Sequence, residues 1–380
     1  MRVGVPTEIK PDEYRVALTP AGARELHEGG HDVLVQAGAG TGSAIDDDAY
    51  VAQGARIAPD AEGVFGEADM ILKVKEPQPS EVELLRPGQV LFTYLHLAAD
   101  RDLTLALCES GAICVAYETV EDADGKLPLL APMSEIAGKL ATQAGAFMLE
   151  KPFGGRGILL GGVPGVAAAT VMIIGGGVVG MNAAFIAIGM EAEVLVFDKS
   201  IDRLRGLDIA LGGRASTVYS STLSVEEMLP RADLVIGAVL VHGARAPRVV
   251  KRDQLKLMKA GAVLVDVSID QGGCFETSRP TTHSDPTYEV DGVLHYCVAN
   301  MPGAVPITST YALTNATLPY VLQLAEHGVA EGAQRDPALR PGVNIAAGQV
   351  THPAVAGSLG LPLVSLDDAL RAVLPATTRP

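Results

Sequence analysis

Short apolar runs alternate with longer amphipathic segments through the first third of the chain. Between residues 1 and 128 these runs are RVGVP, HDVLVQ, ADMILKVK, QVLFTYLH and AICVAYE. A helix-length segment separates each run from the next, and strands that alternate with helices in this way build a parallel sheet covered on both faces. We therefore predict a doubly wound α/β domain in this part of the chain.

A second alternating series begins near Ala169. Its apolar runs are TVMIIG, AEVLVF, ASTVY, DLVIGA, AVLVDV and VLHYCV, which predict a second doubly wound sheet. An amphipathic stretch at residues 134–151 links the two series, and Ser134 is a suitable N-cap for a helix there. A further helix is predicted to follow Pro306.

The last part of the chain has too few apolar runs to form a domain, so we expect it to return to the first one. The predicted division is one discontinuous domain of residues 1–133 and 306–380 and one continuous domain of residues 134–305. The predicted fold class is α/β, with two doubly wound, Rossmann-like domains and a cleft between them.

Composition and charge narrow the classes of function. With 48% hydrophobic and 19% charged residues, the chain fits a globular α/β enzyme. A formal net charge of -16 disfavours a nucleic acid partner, because phosphate backbones are bound by basic surfaces. The uncharged stretch at residues 158–190 contains eight glycines, which favour buried parallel strands over a membrane helix.

The cysteines and the N-terminus indicate a compartment. The four cysteines are well separated and form no CxxC pair, so we expect reduced, packed thiols. Charged residues interrupt the N-terminal segment before an apolar signal region can form. We therefore expect a cytoplasmic protein that has neither a membrane nor a nucleic acid as partner.

The strongest local motif is a glycine-rich turn. Gly175, Gly177 and Gly180 have the GxGxxG spacing directly after a predicted strand, and the next strand ends at Asp198. Glycines at this spacing allow a pyrophosphate to approach the N-terminus of the following helix, and the acidic residue accepts hydrogen bonds from a ribose. Since a carboxylate repels a 2′-phosphate, Asp198 favours NAD over NADP, although neighbouring Lys199, Arg203 and Arg205 weaken that preference.

Polar residues end several strands of the first domain, where open α/β sheets bind ligands. They are Lys75, His96 and Glu118. Strand alternation places Lys73 and Lys75 on one side, and either a ligand-facing lysine or two solvated lysines would fit. His96 fits a structural or a catalytic role equally well. By the same reasoning Arg15 favours a surface position over an anion-binding one.

Two aspartates stand at the end of a strand in the second domain. Asp266 lies at the carboxyl end of AVLVDV and Asp270 just after it, followed by Gln271 and two glycines. The glycine-rich loop makes Asp270 the better candidate for a cofactor-facing group, and an aspartate that only caps the loop is the alternative.

The chain resembles the alanine dehydrogenase family over about residues 1–325. The motifs that carry the resemblance are EIK and RVALTP, KVKEP, YLHLA, MSEIAGKLA, GGVPGV, IIGGGVVG, DQGGCFETSRPTTHSDPTY and HYCVANMPGAVPITSTYALTNATLPY. The tail departs from the family pattern, because residues 344–348 read NIAAG where members usually carry an NTY-like segment.

The resemblance implies a reaction and a set of site residues. It implies NAD-dependent interconversion of L-alanine with pyruvate and ammonia, with His96 as general acid/base and Asp270 beside the reacting carbon. Arg15 and Lys75 would hold the substrate carboxylate, and Asn300 would assist. The positions implied to bind NAD are Ser134, Gly175, Gly177, Gly180, Asp198, Arg203, Ser220, Val239, Val267 and Met301.

The chemistry is consistent with these residue types. Loss of hydride from alanine leaves an iminium that water attacks, so a base that titrates near neutral pH must move protons, and histidine does so in its ordinary range. Cationic side chains hold the substrate carboxylate and thereby fix which hydrogen of the substrate faces the nicotinamide.

Several alternatives stay open. A soluble NAD(H)-binding module like that of transhydrogenases, a reductase acting on a larger amino acid, and a non-catalytic NAD-binding regulator all fit parts of the sequence. The family resemblance also implies a hexamer. Glu118 and His327 resemble positions that approach a divalent ion in relatives, but one carboxylate and one imidazole do not define a site, so we predict no metal.

Overall fold

The computed structural model describes residues 1–239 and 246–373. The chain divides into two compact units, Met1–Met133 with Gly303–Pro380 and Ser134–Pro302. The first unit is therefore built from two separate stretches of chain and the second from one.

The described residues form two sheets, one of eight strands and one of seven. In chain order the strands are β1 Arg2–Val5, β2 Asp32–Gln36, β3 Arg56–Ala58, β4 Met70–Leu72, β5 Val90–Thr93, β6 Ile113–Ala116, β7 Thr170–Ile174, β8 Glu193–Asp198, β9 Ser216–Tyr219, β10 Leu234–Gly237, β11 Val263–Asp266, β12 Thr287–Val290, β13 Val293–Tyr296, β14 Val343–Ala346 and β15 Gln349–Val350.

Helices connect most of these strands. In chain order they are α1 Pro20–Glu28, α2 Asp47–Val51, α3 Ala61–Glu67, α4 Pro79–Val82, α5 Arg101–Ser110, α6 Ala131–Met148, α7 Val178–Gly189, α8 Ile201–Leu211, α9 Thr222–Met228, α10 Pro306–Arg335, α11 Pro353–Leu359 and α12 Leu366–Val373. Short 3-10 turns occupy several of the remaining connections.

The first sheet has the strand order β15-β14-β6-β5-β4-β1-β2-β3. Strands β1 to β6 pair in parallel, as the alternation of strands and helices predicts. The two tail strands extend this sheet in the antiparallel direction, with β14 beside β6. Ile345 and Val350 of the tail are buried in the same apolar cluster as Leu91 and Cys114, so the tail supplies part of the first unit's core.

The second sheet has the order β12-β13-β11-β10-β7-β8-β9. Its central strand, β7, is buried at all five positions. Val171 and Ile173 lie in one apolar cluster, whereas Met172 and Ile174 lie in another. Because successive side chains of a strand point to opposite faces, the sheet has a core on each side, which is why its strands read as continuous apolar runs.

Helix α6 lies three residues earlier in the sequence than the predicted stretch at residues 134–151. It begins at Ala131 and ends at Met148, so Ser134 lies inside its first turn and the prediction of Ser134 as the N-cap is wrong. Proline is accommodated in the first turn of a helix, where its missing N–H donor has no partner to lose. Pro132 therefore does not delay the start of α6.

Contacts between α6 and α7 belong to the second unit. The Thr142 hydroxyl donates to the Ala183 carbonyl at 2.9 Å. A Cβ on Gly138 would lie 2.2 Å from the Val179 carbonyl oxygen, so only glycine allows this approach.

Helix α10 begins at Pro306, as predicted, and is interrupted at Gly328, whose φ is 69°. Within residues 1–239 and 246–373, no helix is long and apolar enough to cross a membrane.

Candidate functional site

Four candidate residues of the first unit follow four neighbouring strands. Arg15 comes after β1, Lys75 after β4, His96 after β5 and Glu118 after β6, and these strands are adjacent in the order β1-β4-β5-β6. Because the strands are parallel, their carboxyl ends share one edge of the sheet, where ligands bind in open α/β folds. The fold thus brings the segments that carry these residues to the carboxyl end of the same sheet.

Arg15 is buried, so the expectation of a surface position is wrong. Its side chain is only 2% exposed and forms a bidentate ion pair with Glu13, in which Nε donates to Oε1 at 2.6 Å and Nη2 donates to Oε2 at 2.5 Å. Burial opposes the positive charge, but the Glu13 carboxylate outweighs it and raises the pKa of Arg15 further above its usual value. The guanidinium is therefore charged and fixed in orientation.

Lys73 and Lys75 have different surroundings. Lys73 is fully buried, and its ammonium donates to Glu8 at 3.0 Å and to Glu81 at 2.7 Å. Burial alone would lower the pKa of Lys73, but the two carboxylates outweigh burial and raise it. Lys75 is also buried, at 8% exposure, so the alternative of two solvated lysines is wrong. Because Lys73 is already bound to two carboxylates, it is a poor candidate for binding a ligand.

His96 has an exposed side chain and an unusual backbone. Its φ of 53° and ψ of 32° lie in the left-handed region, which costs an L-residue about 1–2 kcal/mol. The Tyr94 ring lies parallel to the imidazole, with 5.9 Å between ring centroids and 6° between planes. The Tyr94 hydroxyl donates to the Leu129 carbonyl at 2.6 Å. His96 is therefore held at the sheet edge with its ring accessible.

Glu118 and His327 each have a partner nearby. Glu118 accepts from the backbone N–H groups of Leu95 and His96. The His327 ring lies 3.7 Å from Glu331, one turn further along α10. Among the residues that the structure describes, no group of three or more His, Cys, Asp or Glu side chains is arranged to hold a metal ion.

Candidate residues of the second unit also gather at one sheet edge. The strands that precede them are neighbours in the order β13-β11-β10-β7-β8-β9. Gly175, Gly177 and Gly180 follow β7, Asp198 ends β8, Ser220 follows β9, Val239 follows β10, Val267 and Asp270 follow β11, and Asn300 and Met301 follow β13. Arg203 lies on α8 and Ser134 on α6.

The glycine-rich turn fits a dinucleotide phosphate. Gly175 has a φ of 107°, and a Cβ on Gly180 would lie 1.8 Å from the Gly175 carbonyl oxygen, so both positions require glycine. At Gly177 a Cβ would meet no atom within 4 Å, and this residue is the N-cap of α7, where no side chain caps the first N–H groups of the helix. The N–H groups at the start of a helix attract anions, so the turn offers both space and donors for a phosphate.

Asp198 lies beside this turn. Its carboxylate accepts from Gly176 N at 2.8 Å and from Ser200 N at 2.8 Å, and Arg203 Nη1 lies 3.4 Å away. A carboxylate has about four acceptor positions, so these contacts leave capacity for a ribose hydroxyl. The residues present thus fit the adenosine half of a nicotinamide dinucleotide.

The structure gives different surroundings to Asp266, which ends β11, and Asp270, which follows that strand. Asp266 is fully buried and accepts hydrogen bonds from Ser268, Cys274, Phe275 and Ser278. A buried carboxylate with this many donors has a structural role, since it organises the loop between residues 266 and 278. Asp270 is exposed on a short turn within that loop, Ile269–Gln271. Asp270 is therefore the aspartate that can meet a ligand.

The remaining candidates lie in the loops that follow the same strands. Ser268 Oγ donates to the Val239 carbonyl at 2.8 Å, which joins the loops after β10 and β11. Ser220 N donates to the Asp198 carbonyl at 2.9 Å. Asn300 has a φ of 56° and is half-buried, and Met301 is buried.

Three positioning residues were missed by sequence reasoning. They are Glu13, which orients Arg15, Tyr94, which stacks on His96, and Glu8, which binds Lys73 and also accepts from Val74 N at 2.6 Å. The spacing of Glu13 and Arg15 by two residues was the only local signal, and it does not distinguish an ion pair from two solvated charges.

Comparison with known proteins places both halves of the chain in one family. Residues 4–137 match the family model "Alanine dehydrogenase/PNT, N-terminal domain" and residues 141–353 match "Alanine dehydrogenase/PNT, C-terminal domain". An alanine dehydrogenase of Halomonas elongata is 59% identical over 96% of this chain and 98% of its own length.

Solved structures agree with the sequence matches. One named L-alanine dehydrogenase superposes with a TM-score of 0.91 at 50% identity, covering 95% of this chain and 99% of its own. A transhydrogenase structure from Sinorhizobium meliloti gives a TM-score of 0.79 at 26% identity, covering 93% of this chain and 100% of its own. From the two family models and the identity over nearly the whole length, the chain belongs to the alanine dehydrogenase family.

Proposed function

We propose that this protein is an NAD-dependent L-alanine dehydrogenase. The reaction converts L-alanine, NAD and water into pyruvate, ammonia, NADH and a proton, and it is reversible. The observation that supports the proposal is that Arg15, Lys75 and His96 lie in the segments that follow the adjacent strands β1, β4 and β5. Two cations and one imidazole are the groups that an amino acid and its deamination require.

Arg15 and Lys75 bind the substrate carboxylate in this proposal. Both side chains are buried, so a carboxylate that reaches them leaves water and its attraction to the cations is strengthened. The ion pair with Glu13 keeps the Arg15 guanidinium in one orientation. Lys75 also lies near the reacting carbonyl, and Asn300 assists in holding the substrate.

His96 is the general acid/base, and Asp270 acts beside it. When alanine is oxidised, an iminium forms on the substrate, water adds to its carbon, and ammonia leaves. His96 takes the proton from the attacking water and returns it to the leaving amine. Asp270 steers the water or ammonia towards the reacting carbon, which its exposed position in the 266–278 loop permits.

NAD supplies the hydride acceptor when it is bound. Gly175, Gly177 and Gly180 hold its pyrophosphate, and Asp198 binds the adenosine ribose and repels a 2′-phosphate. Ser134, Arg203, Ser220, Val239, Val267 and Met301 complete the proposed set of cofactor-binding residues. NAD is preferred to NADP for this reason.

The direct test is NADH absorbance at neutral to alkaline pH. We expect NADH oxidation with pyruvate and ammonium together, none when ammonium is omitted, and NAD reduction with L-alanine. NADH binding without turnover in either direction would instead support a non-catalytic regulator. Hydride exchange between two nicotinamide dinucleotides, without use of pyruvate or alanine, would support a module like the transhydrogenase that the fold also resembles.

Assembly and compartment are further parts of the proposal. We place the protein in the cytoplasm as a homohexamer, the assembly that the family resemblance implies. Mass measurement in solution tests the hexamer, with a single species of six chains as the expected result.

A further inference from the structure

We propose that Glu118 is a positioning residue that holds the backbone of His96 and thereby places its imidazole for proton transfer. The inference rests on the proposed function, because it assumes that His96 is the general acid/base. It adds a role for Glu118 in the reaction that requires no metal ion.

The backbone of His96 needs external support. Its left-handed conformation is one that residues other than glycine adopt rarely, and such conformations persist where the surrounding structure imposes them. The chain turns here from the end of β5 into the short turn Leu97–Ala99. A change of φ at this residue would swing the imidazole away from its present direction.

The Glu118 carboxylate provides that support. Its Oε1 accepts from His96 N at 2.6 Å and from Leu95 N at 3.2 Å, and its Oε2 accepts from Leu95 N at 3.2 Å. Hydrogen bonds from amides to a carboxylate are about twice as strong as those between neutral groups. One side chain therefore fixes two consecutive peptide groups at the residue whose conformation is unfavourable.

Glu118 is itself held in place by its neighbours. It lies in the turn Tyr117–Thr119 directly after β6, the strand next to β5. Asn344 of the tail strand β14 donates to Thr119 Oγ1 at 2.7 Å. Tyr117 packs edge-on against Tyr94, which in turn stacks on the His96 ring. The support for His96 thus runs through β6 and the tail.

The charged and titratable groups around His96 are consistent with this role. Glu118 Oε1 lies 3.9 Å from His96 Nδ1, too far for a hydrogen bond in this geometry, so its contact with His96 is made through the backbone. His352, which precedes α11, and Glu121 interact electrostatically with this region, and burial lowers the pKa of His352. The ring of Tyr94, another titratable group, stacks on the imidazole.

The test compares Glu118→Gln and Glu118→Asp with Glu121→Gln in the full-length protein. Glutamine keeps one acceptor oxygen and loses the charge, so we expect kcat for L-alanine oxidation to fall on the order of 10- to 100-fold. NADH affinity should stay within about two-fold, because the proposed cofactor residues lie in the other unit. Glu118→Asp should retain more activity than Glu118→Gln, and exposed Glu121→Gln should resemble wild type.

A double-mutant cycle shows whether Glu118 acts through His96. If it does, adding Glu118→Gln to His96→Ala should change the residual rate less than about two-fold, because coupled residues are not additive. An equal loss in both backgrounds would overturn the proposal. The proposal would also be overturned if Glu118→Gln lowered kcat only when Mg²⁺ was added and not when a chelator was present. Glu118 would then act as a metal ligand.

A spectroscopic measurement separates this proposal from the proposed function. With histidine ¹³Cε1 labelling, the signal assigned to His96 by its loss in His96→Ala should shift in Glu118→Gln and stay in place in Glu121→Gln. An unmoved signal would overturn the positioning role even if the protein oxidises alanine. Wild-type protein without alanine turnover, but with a shifted signal in Glu118→Gln, would overturn the function and leave the structural link intact.

Discussion

Asp198 makes two contacts that bear on the choice between NAD and NADP. Its carboxylate orders the glycine-rich turn through Gly176 N, and it also lies 3.4 Å from the guanidinium of Arg203, a side chain that is 54% exposed. The negative charge repels a 2′-phosphate, while the neighbouring arginine would attract one if the carboxylate were absent. The proposed preference for NAD over NADP therefore depends on the charge of Asp198.

Asp198→Ala should lower the ratio of kcat/KM for NAD to that for NADP by at least about tenfold, since like charges in contact cost more than 1.4 kcal/mol. Both kcat/KM values, measured with L-alanine, test this. Asp202→Ala is a matched control, because Asp202 is 91% exposed and paired with Arg205 on the same helix. A ratio that is the same in wild type and Asp198→Ala would remove Asp198 from cofactor selection.

The residue scale is also where sequence reasoning was least complete. The positions of Lys75, His96 and Asp270 just after strands were predicted correctly, because the ends of apolar strands are visible in the sequence. Sequence reasoning placed Arg15 on the surface, since its burial depends on Glu13 closing around the guanidinium. It left Lys73 and Lys75 equivalent, because the carboxylates that bind Lys73 come from Glu8 and Glu81, on other segments of the chain.

Elements with many apolar residues were predicted well, and short or polar ones were not. The buried strands β7, β10 and β11 were identified because apolar side chains cover both faces. Four of the described strands were missed: β3 and β12, in which only Ala58 is buried, and β14 and β15 in the tail, which had been judged too poor in apolar runs to contain a domain. Helix α6 was placed three residues late because Pro132 was taken as a boundary.

Strand β13 carries a histidine that makes local stability depend on pH. His295 is fully buried, with Nδ1 3.0 Å from the Val293 carbonyl and Nε2 2.7 Å from the Thr277 hydroxyl. Burial lowers its pKa, against the opposing effect of the Val293 carbonyl. The unfolded chain therefore takes up this proton at a higher pH than the folded protein does. Folding is favoured above the unfolded pKa of about 6.5, and that advantage is lost as pH falls towards the folded value.

Hydrogen exchange of peptides covering β13 tests this prediction. Between pH 7.5 and 5.5, after correction for intrinsic exchange rates, protection should fall in wild type and should fall less in His295→Gln. His27→Gln serves as a control because His27 is exposed on α1 of the first unit. The same loss of protection in all three proteins would show that His295 does not control the stability of this strand.

At the scale of the whole molecule, the two units differ in how the chain builds them. The second unit is continuous and contains both apolar clusters of its own sheet. The first unit needs the tail, because β14 covers the edge of β6 and places Ile345 in the core. Sequence reasoning anticipated the tail's return only by elimination, since the residues that differ from the family pattern form β14 and the turn that follows it.

This difference predicts how fragments behave. Residues 131–302, which include all of α6, should fold cooperatively and bind NADH, because every proposed cofactor residue lies within them. Residues 1–133 alone should not fold, since an uncovered strand edge and missing core residues leave apolar surface in water. Circular dichroism on heating and the fluorescence of bound NADH measure the two properties.

Two glycine variants make the fragment experiment specific for the proposed phosphate-binding turn. In residues 131–302, Gly180→Ala should abolish NADH binding, because the new Cβ would lie 1.8 Å from the Gly175 carbonyl oxygen and force the turn open. Gly189→Ala, at the other end of α7, should bind NADH normally, since a Cβ there meets no atom within 4 Å. Cooperative unfolding of residues 1–133 alone would contradict the requirement for the tail. A folded 131–302 fragment that binds NADH equally well with either substitution would show that the cofactor does not rest on this turn.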